Sequence, residues 1–307
     1  MSGPLEGVLP VVSTPFDARD QIDADVLARE VDWLISHGVD GLTIGMVSEV
    51  LRLSAAERRQ LTTTVVSAAA GRVPVVASVG AESTPATVAL AEHAQGSGAT
   101  ALMAIPPVGV TLSDAETLGF YRAVLDHTEV PLVVQDASGY LGHPLPLSLY
   151  ADLLAGYGPQ RVLFKPEAVP IGPRLSALRD ATGGVAAVFE GTGGIALVDS
   201  HRRGVVGTMP GPEVPWAVVT LWRALQSGDL ELTQAVHGPL AALISLQSSL
   251  DAFIAVEKHL LVRQQVFAAD HRRHPHGYDP DPETLVEVDR LVDVLAAACR
   301  IRLPPAR

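Results

Sequence analysis

Lys165 closes the apolar run Val162-Leu163-Phe164 and is followed by Pro166 and then Glu167. A lysine buried at the end of such a run is costly as an ammonium unless it is paired. Burial lowers a lysine pKa in general and frees the amine to act as a nucleophile, for example toward a ketone carbon. The plainer reading is a strand-end lysine paired with Glu190 or Asp136. Those two carboxylates end other apolar runs and are candidates for acid–base work, with loop capping as their structural alternative. Gln135 stands beside Asp136. Ser48 and Glu49 lie in a tight turn after another apolar run. They are candidates for contacting a substrate, or simply a turn serine and a surface glutamate.

Weaker signals accompany these. Gly191-Thr192-Gly193-Gly194 opens a helix and could present N–H groups to an anion, but it is neither a dinucleotide nor a Walker fingerprint. His271, His274 and His276 share a mobile-looking segment with Arg272 and Arg273. No set has helical metal spacing, so no metal is expected. Gly142-His143 reads as a loop, and Trp216 and Trp222, at helical spacing, read as core.

The elements that must position these residues recur as short β-branched runs, each followed by an amphipathic stretch. The strands are expected at Val8–Ser13, Val39–Ile44, Val73–Ser78, Thr100–Ile105, Val130–Gln135, Arg161–Lys165, Val185–Glu190 and Val205–Met209. Ser54 followed by Glu57 forms a capping box. The connections are long enough for helical crossovers, so the strands should be parallel. Their continuous apolar character fits a sheet buried on both faces. A closed (β/α)8 barrel is the simplest architecture, and an open doubly wound sheet is the alternative. In a barrel, reacting groups lie at the C-terminal ends of the strands. Beyond residue 228 only helical periodicity remains, over about 230–247, 250–267 and 282–299. The expected division is therefore a barrel over residues 1–228 and a three-helix appendage over residues 229–307.

Composition narrows the function classes. A net charge of −12 argues against a nucleic-acid partner. No apolar run reaches the length of a bilayer span, and the N-terminus lacks a signal-peptide pattern. The single cysteine, Cys299, allows no intrachain disulfide, and a cytoplasmic location is expected.

Taken together, the chain resembles the dihydrodipicolinate synthase and N-acetylneuraminate lyase superfamily. The resemblance rests on Ser13-Thr14-Pro15-Phe16, Gly38-Val39-Asp40-Gly41-Leu42, Leu53-Ser54-Ala55-Ala56-Glu57-Arg58, Pro131-Leu132-Val133-Val134, Phe164-Lys165-Pro166-Glu167, Gly204-Val205-Val206-Gly207 and Glu257-Lys258. It implies a barrel with a helical C-terminal domain, a homotetramer (or dimer), and Lys165 as the Schiff-base lysine. Synthases and neuraminate lyases carry Gly-Thr-Thr-Gly-Glu or Gly-Ser-Thr-Gly-Glu after strand two and a Tyr-Asn pair after strand five. Here these are Gly45-Met46-Val47-Ser48-Glu49 and Gln135-Asp136. An aromatic near the end of strand four is replaced by Pro106-Pro107-Val108.

The chain is more similar to the 2-keto-3-deoxy sugar-acid dehydratases, particularly the L-2-keto-3-deoxyarabonate type. That similarity lies in Ser48-Glu49, Val134-Gln135-Asp136-Ala137, Phe164-Lys165 with Glu167, Glu190-Gly191, Gly207-Thr208-Met209 and His274-Pro275. It implies a small 2-oxo acid substrate and needs neither metal nor organic cofactor. Lys165, Ser48, Gln135, Asp136 and Glu190 are the expected catalytic set. Val47, Ser48, Glu49, Glu167, Gly191, Gly207 and Thr208 are the expected substrate contacts, with backbone N–H groups around Val47-Ser48 taking the carboxylate. The alternatives are a pyruvate-dependent aldolase or synthase, and a sugar-acid-binding homologue without catalysis, which Met46, Val47 and Gln135 would favour.

Overall fold

A computed structural model describes residues 4–139 and 143–304. Eight strands alternate with helices. The strands are β1 (Gly7–Val8), β2 (Leu42–Thr43), β3 (Val75–Ser78), β4 (Ala101–Ala104), β5 (Leu132–Asp136), β6 (Val162–Pro166), β7 (Ala187–Glu190) and β8 (Gly207–Thr208). The helices between and after them are α1 (Ala24–Ser36), α2 (Ala55–Ala69), α3 (Thr84–Gly96), α4 (Asp114–His127), α5 (Leu147–Tyr157), α6 (Ile171–Ala181), α7 (Leu197–Arg202) and α8 (Pro215–Ser227). Every strand pair is parallel, and β1 returns to β8 through Gly7↔Gly207 and Val8↔Thr208. The remaining seam closes where Val11 bridges Thr43 and the Val12 N–H reaches Thr43 O at 2.9 Å. The sheet is therefore a (β/α)8 barrel, and the open sheet is set aside.

β1, β2 and β8 are shorter than the apolar runs suggested. Pro10 has no N–H to continue the first ladder, and the Ser13 N–H leaves it for the Glu30 carboxylate at 2.7 Å. The capping box is present: Ser54 N–H donates to Glu57 at 2.8 Å and Glu57 N–H to the Ser54 hydroxyl at 3.3 Å.

Leu9, Val76, Ala101, Met103, Val133, Leu163, Phe189 and Met209 fill the barrel interior. The alternate residues, such as Val134, Phe164 and Val188, pack outward against the helices. Trp216 and Trp222 are buried in that outer core, and the Trp216 indole donates to Gln264 at 2.9 Å.

α8 stops at Gly228, which takes φ +74°, and Asp229 caps the next helix. Three helices follow: α9 (Leu230–Ser245), α10 (Leu250–Arg263) and α11 (Pro282–Ala298). Among the described residues no helix is long and apolar enough to cross a membrane.

Candidate active site

Strand parity decides which groups at the barrel mouth can meet, because successive side chains point to opposite faces. Leu163 points inward and Phe164 outward, so Lys165 points inward. Val133 points inward, so Gln135 does as well, and the register pairs Gln135 with Lys165 on adjacent strands. Phe189 points inward, which turns Glu190 out.

The result is a buried chain of three polar groups. Lys165 Nζ lies 2.7 Å from Glu167 Oε1, and Gln135 Nε2 donates to Glu167 Oε2 at 2.9 Å. Lys165, Gln135 and Glu167 are each at most 5% exposed. Burial pushes the Glu167 carboxyl above its ordinary pKa, against the opposing pull of the Lys165 charge and the Gln135 amide. A carboxylate so placed can take a proton from the neighbouring ammonium and hand it on. Lys165 is thus paired with Glu167, and with neither Glu190 nor Asp136. Gly191 closes the chain from the β7 side. A Cβ there would lie 2.9 Å from Glu167 Cγ and Oε1 and 3.0 Å from Lys165 Cε. Only a hydrogen fits between the backbone and the pair.

These groups face a cavity that is also lined by Val11, Met46, Val47, Met103, Met209 and Phe253. Gly45 precedes a single 3₁₀ turn over Met46–Ser48, in which the Ser48 N–H bonds Gly45 O at 3.1 Å. The amides of Met46 and Val47 precede that first turn bond. They are the turn's available donors on the cavity wall, whereas the Ser48 N–H is already used.

Several expected site residues lie elsewhere. The Ser48 hydroxyl donates to Val12 O at 2.5 Å and accepts from Gly45 N–H at 3.1 Å, so it staples the turn. Glu49 is in the left-handed region (φ +57°), which swings its carboxylate away from the cavity. It meets Lys258 Nζ at 2.5 Å and Arg273 N–H at 3.0 Å. Asp136 points out between the helices. There it accepts from Ser138 N–H, Leu145 N–H and the Tyr150 hydroxyl at 3.0, 3.0 and 3.2 Å. Glu190 accepts from Thr192 N–H and the Thr208 hydroxyl, both at 2.6 Å, and from the Thr192 hydroxyl. This removes Glu190, Thr208 and the Thr192 amide from the cavity together. Gly207 pairs with Phe189, one layer below Lys165.

Gly142 lies outside the described residues. His143 lines a separate cavity between the β4–α4 and β5–α5 connections.

The segment over 268–281 forms a strap held to α10 and to Arg52 by hydrogen bonds. Lys258 donates to His271 O at 2.8 Å, Arg52 to Pro275 O at 2.8 Å, and Asp251 accepts from Gly277 N–H at 2.6 Å. The Arg273 guanidinium stacks 4.4 Å above the Phe16 ring and pairs with Glu57 at 2.6 Å.

α10 supplies what the residue pattern did not reveal. Leu250 and Phe253 line the cavity. Lys258, fully buried, ties Thr14 O (2.8 Å) and Glu49 to the strap. Glu257 accepts from the Ser13 hydroxyl at 2.9 Å, and Glu213 accepts from Gln247 at 2.9 Å. Burial raises Glu257, Glu213 and Glu30 above the ordinary carboxylate range, the last to about 8. No motif marks this cluster except the Glu257-Lys258 pair.

A closed parallel barrel with a buried lysine–carboxylate pair at the C-terminal ends of its strands is the architecture of a barrel enzyme. Comparison with known proteins makes the class specific. The chain belongs to the dihydrodipicolinate synthetase family, whose model matches residues 4–283, and it is a lyase.

It is 31% identical over 294 residues to a DapA-like lyase of Halobacterium salinarum, covering 93% of each chain. It is 30% identical over 292 residues to the L-2-keto-3-deoxyarabonate dehydratase of Azospirillum brasilense, covering 92% of each. The crystal structure of dihydrodipicolinate synthase from Rhodopseudomonas palustris superposes with a TM-score of 0.85 at 24% identity, over 94% of this chain and 97% of that one, and shares the fold.

Proposed function

We propose that the protein dehydrates a 2-keto-3-deoxy sugar acid through a Schiff base on Lys165. The observation that carries this reading is the contact between Lys165 and Glu167 at 2.7 Å. The neutral amine adds to the C2 carbonyl, and loss of water gives a protonated imine. That imine draws electrons from C3 and acidifies its proton. A carboxylate beside Nζ is also beside C2 and within reach of C3. Glu167 removes the C3 proton and the C3–H electrons form the C2–C3 enamine; the enamine electrons then form the C3–C4 double bond and restore the imine as the C4–O bond breaks. The C4 hydroxyl leaves with a proton as water, and the same Glu167 carboxyl can supply it. Water then hydrolyses the imine and returns the lysine. The net change is loss of one water from the substrate.

Gln135 holds the second oxygen of Glu167 and so fixes the carboxylate plane. The Val47 amide on the cavity wall suits the substrate carboxylate. The similarity to a dehydratase over 92% of the chain favours elimination over retro-aldol cleavage.

Product analysis on 2-keto-3-deoxypentonate tests this. Dehydration yields a new 2-oxo acid of unchanged carbon count. Release of pyruvate would replace the proposal with an aldolase.

A further inference from the structure

The cavity wall departs from what a polyhydroxylated ligand requires. Among the described residues, the side chains on it that can hydrogen-bond are Gln135, Lys165 and Glu167. All three are engaged with one another around the reacting end.

Beyond them the wall is apolar, and α10 builds its outer part. The Phe253 ring is seated between two glycines. A Cβ on Gly193 would lie 3.3 Å from Phe253 Cζ, and a Cβ on Gly211 would lie 2.8 Å from Phe253 Cε1. Gly193 follows β7 and Gly211 follows β8, so the ring packs against both loops, where Ile244 and the Glu213 carboxylate crowd the same two glycines. On the other side, Leu250 packs against the apolar cluster of Met46, Ile105 and Ala137. Leu250 and Phe253 are the side chains that α10 offers to a substrate anchored at Lys165.

We infer that, among 2-keto-3-deoxy sugar acids, the site selects those whose chain beyond C4 is short, and that Leu250 and Phe253 set this preference. The inference rests on the assignment of Lys165 as the carbonyl-binding amine and narrows the substrate class proposed above. It holds whether C4 loses its hydroxyl or the C3–C4 bond breaks, because both reactions start from the same acid. Each hydroxyl added beyond C4 would leave water for a wall on which no described side chain is free to replace its hydrogen bonds. A hydrophobic pocket rejects an added hydroxyl by up to about a hundredfold.

The test compares kcat/KM for 2-keto-3-deoxypentonate and 2-keto-3-deoxyhexonate. The pentonate is expected to exceed the hexonate by about tenfold or more. Leu250→Asn and Phe253→Tyr place a polar atom at the tail and should narrow the pentonate-to-hexonate ratio at least fivefold. Borohydride trapping of pyruvate on Lys165 should persist in both variants, which shows that they fold. An equal or higher kcat/KM for the hexonate in the unaltered enzyme, or an unchanged ratio in both variants, overturns the inference. Absence of trapping in the unaltered enzyme instead overturns the assignment of Lys165 on which it rests.

Discussion

Replacing Gly191 with alanine probes the geometry of the site without altering any polar group in it. The added methyl would stand 2.9 Å from Glu167 Cγ and Oε1 and 3.0 Å from Lys165 Cε. Carbon atoms in contact prefer about 3.5–4.0 Å, so either the pair or the β7 loop must move by about half an ångström or more. Gly191 is not among the residues with positive φ, so alanine adds no backbone strain and the contact itself is the perturbation. Overpacking of this kind costs about 1–3 kcal/mol of stability, which a barrel of this size can tolerate. The catalytic effect should be larger. A misplacement of about 1 Å costs roughly 10² in rate, so a shift of half an ångström or more should lower kcat/KM about 10- to 100-fold. The rate of borohydride trapping with pyruvate should fall in parallel, because Lys165 Cε is one of the atoms the methyl presses on. The assay pairs trapping rate with circular dichroism and a melting curve. A folded Gly191→Ala protein that traps pyruvate within twofold of the parent rate would refute the placement of the Lys165–Glu167 pair at the reacting centre.

Glu167→Gln keeps the hydrogen-bonding shape but removes the proton acceptor. It should lower kcat by about 10²–10⁴ while leaving a trapped adduct detectable at long incubation. Glu190→Gln should lower kcat less than about tenfold, because Glu190 holds Thr192 and Thr208 outside the cavity; a loss above a hundredfold would restore it as an acid–base group. Glu30 gives a pH prediction. Its pKa is about 8 in the folded chain against 4.5 ordinarily, so between those values the native state holds one proton more than the unfolded state. Stability should therefore fall as pH rises through this window, by about 5 kcal/mol at most. Glu30→Gln should flatten that slope in urea unfolding measured at pH 5 and pH 9, and an unchanged slope would contradict the assignment.

The barrel was legible because both-face burial writes each strand as an unbroken apolar run, and because capping residues such as Ser54 mark where helices begin. Lys165 was legible for the same reason, as a charge ending such a run. The groups that meet Lys165 were legible only in part: Gln135 and Glu167 were expected at the site, but Glu167 as a substrate contact rather than as the partner of Lys165. Taking the last residue of each strand brought in Asp136 and Glu190, although both point out of the barrel. The phase was present in the sequence: if Lys165 faces inward, Leu163 must too, and the same parity applied to β5 and β7 admits Gln135 and excludes the two carboxylates. Glu49 was misplaced because its left-handed backbone has no signature in a non-glycine residue. The contributions of Leu250, Phe253 and Lys258 could not be read locally. Their partners lie up to 244 residues away, as in the contact between Lys258 and Thr14.

The central claim is that the Lys165 amine captures a ketone carbon. Incubating the protein with pyruvate and sodium borohydride, digesting it and sequencing the peptides by mass spectrometry tests this directly. A reduced pyruvyl adduct on Lys165, absent in Lys165→Ala, is the expected result. An adduct on another lysine such as Lys258, or none with pyruvate or any 4-hydroxy-2-oxo acid, would contradict it.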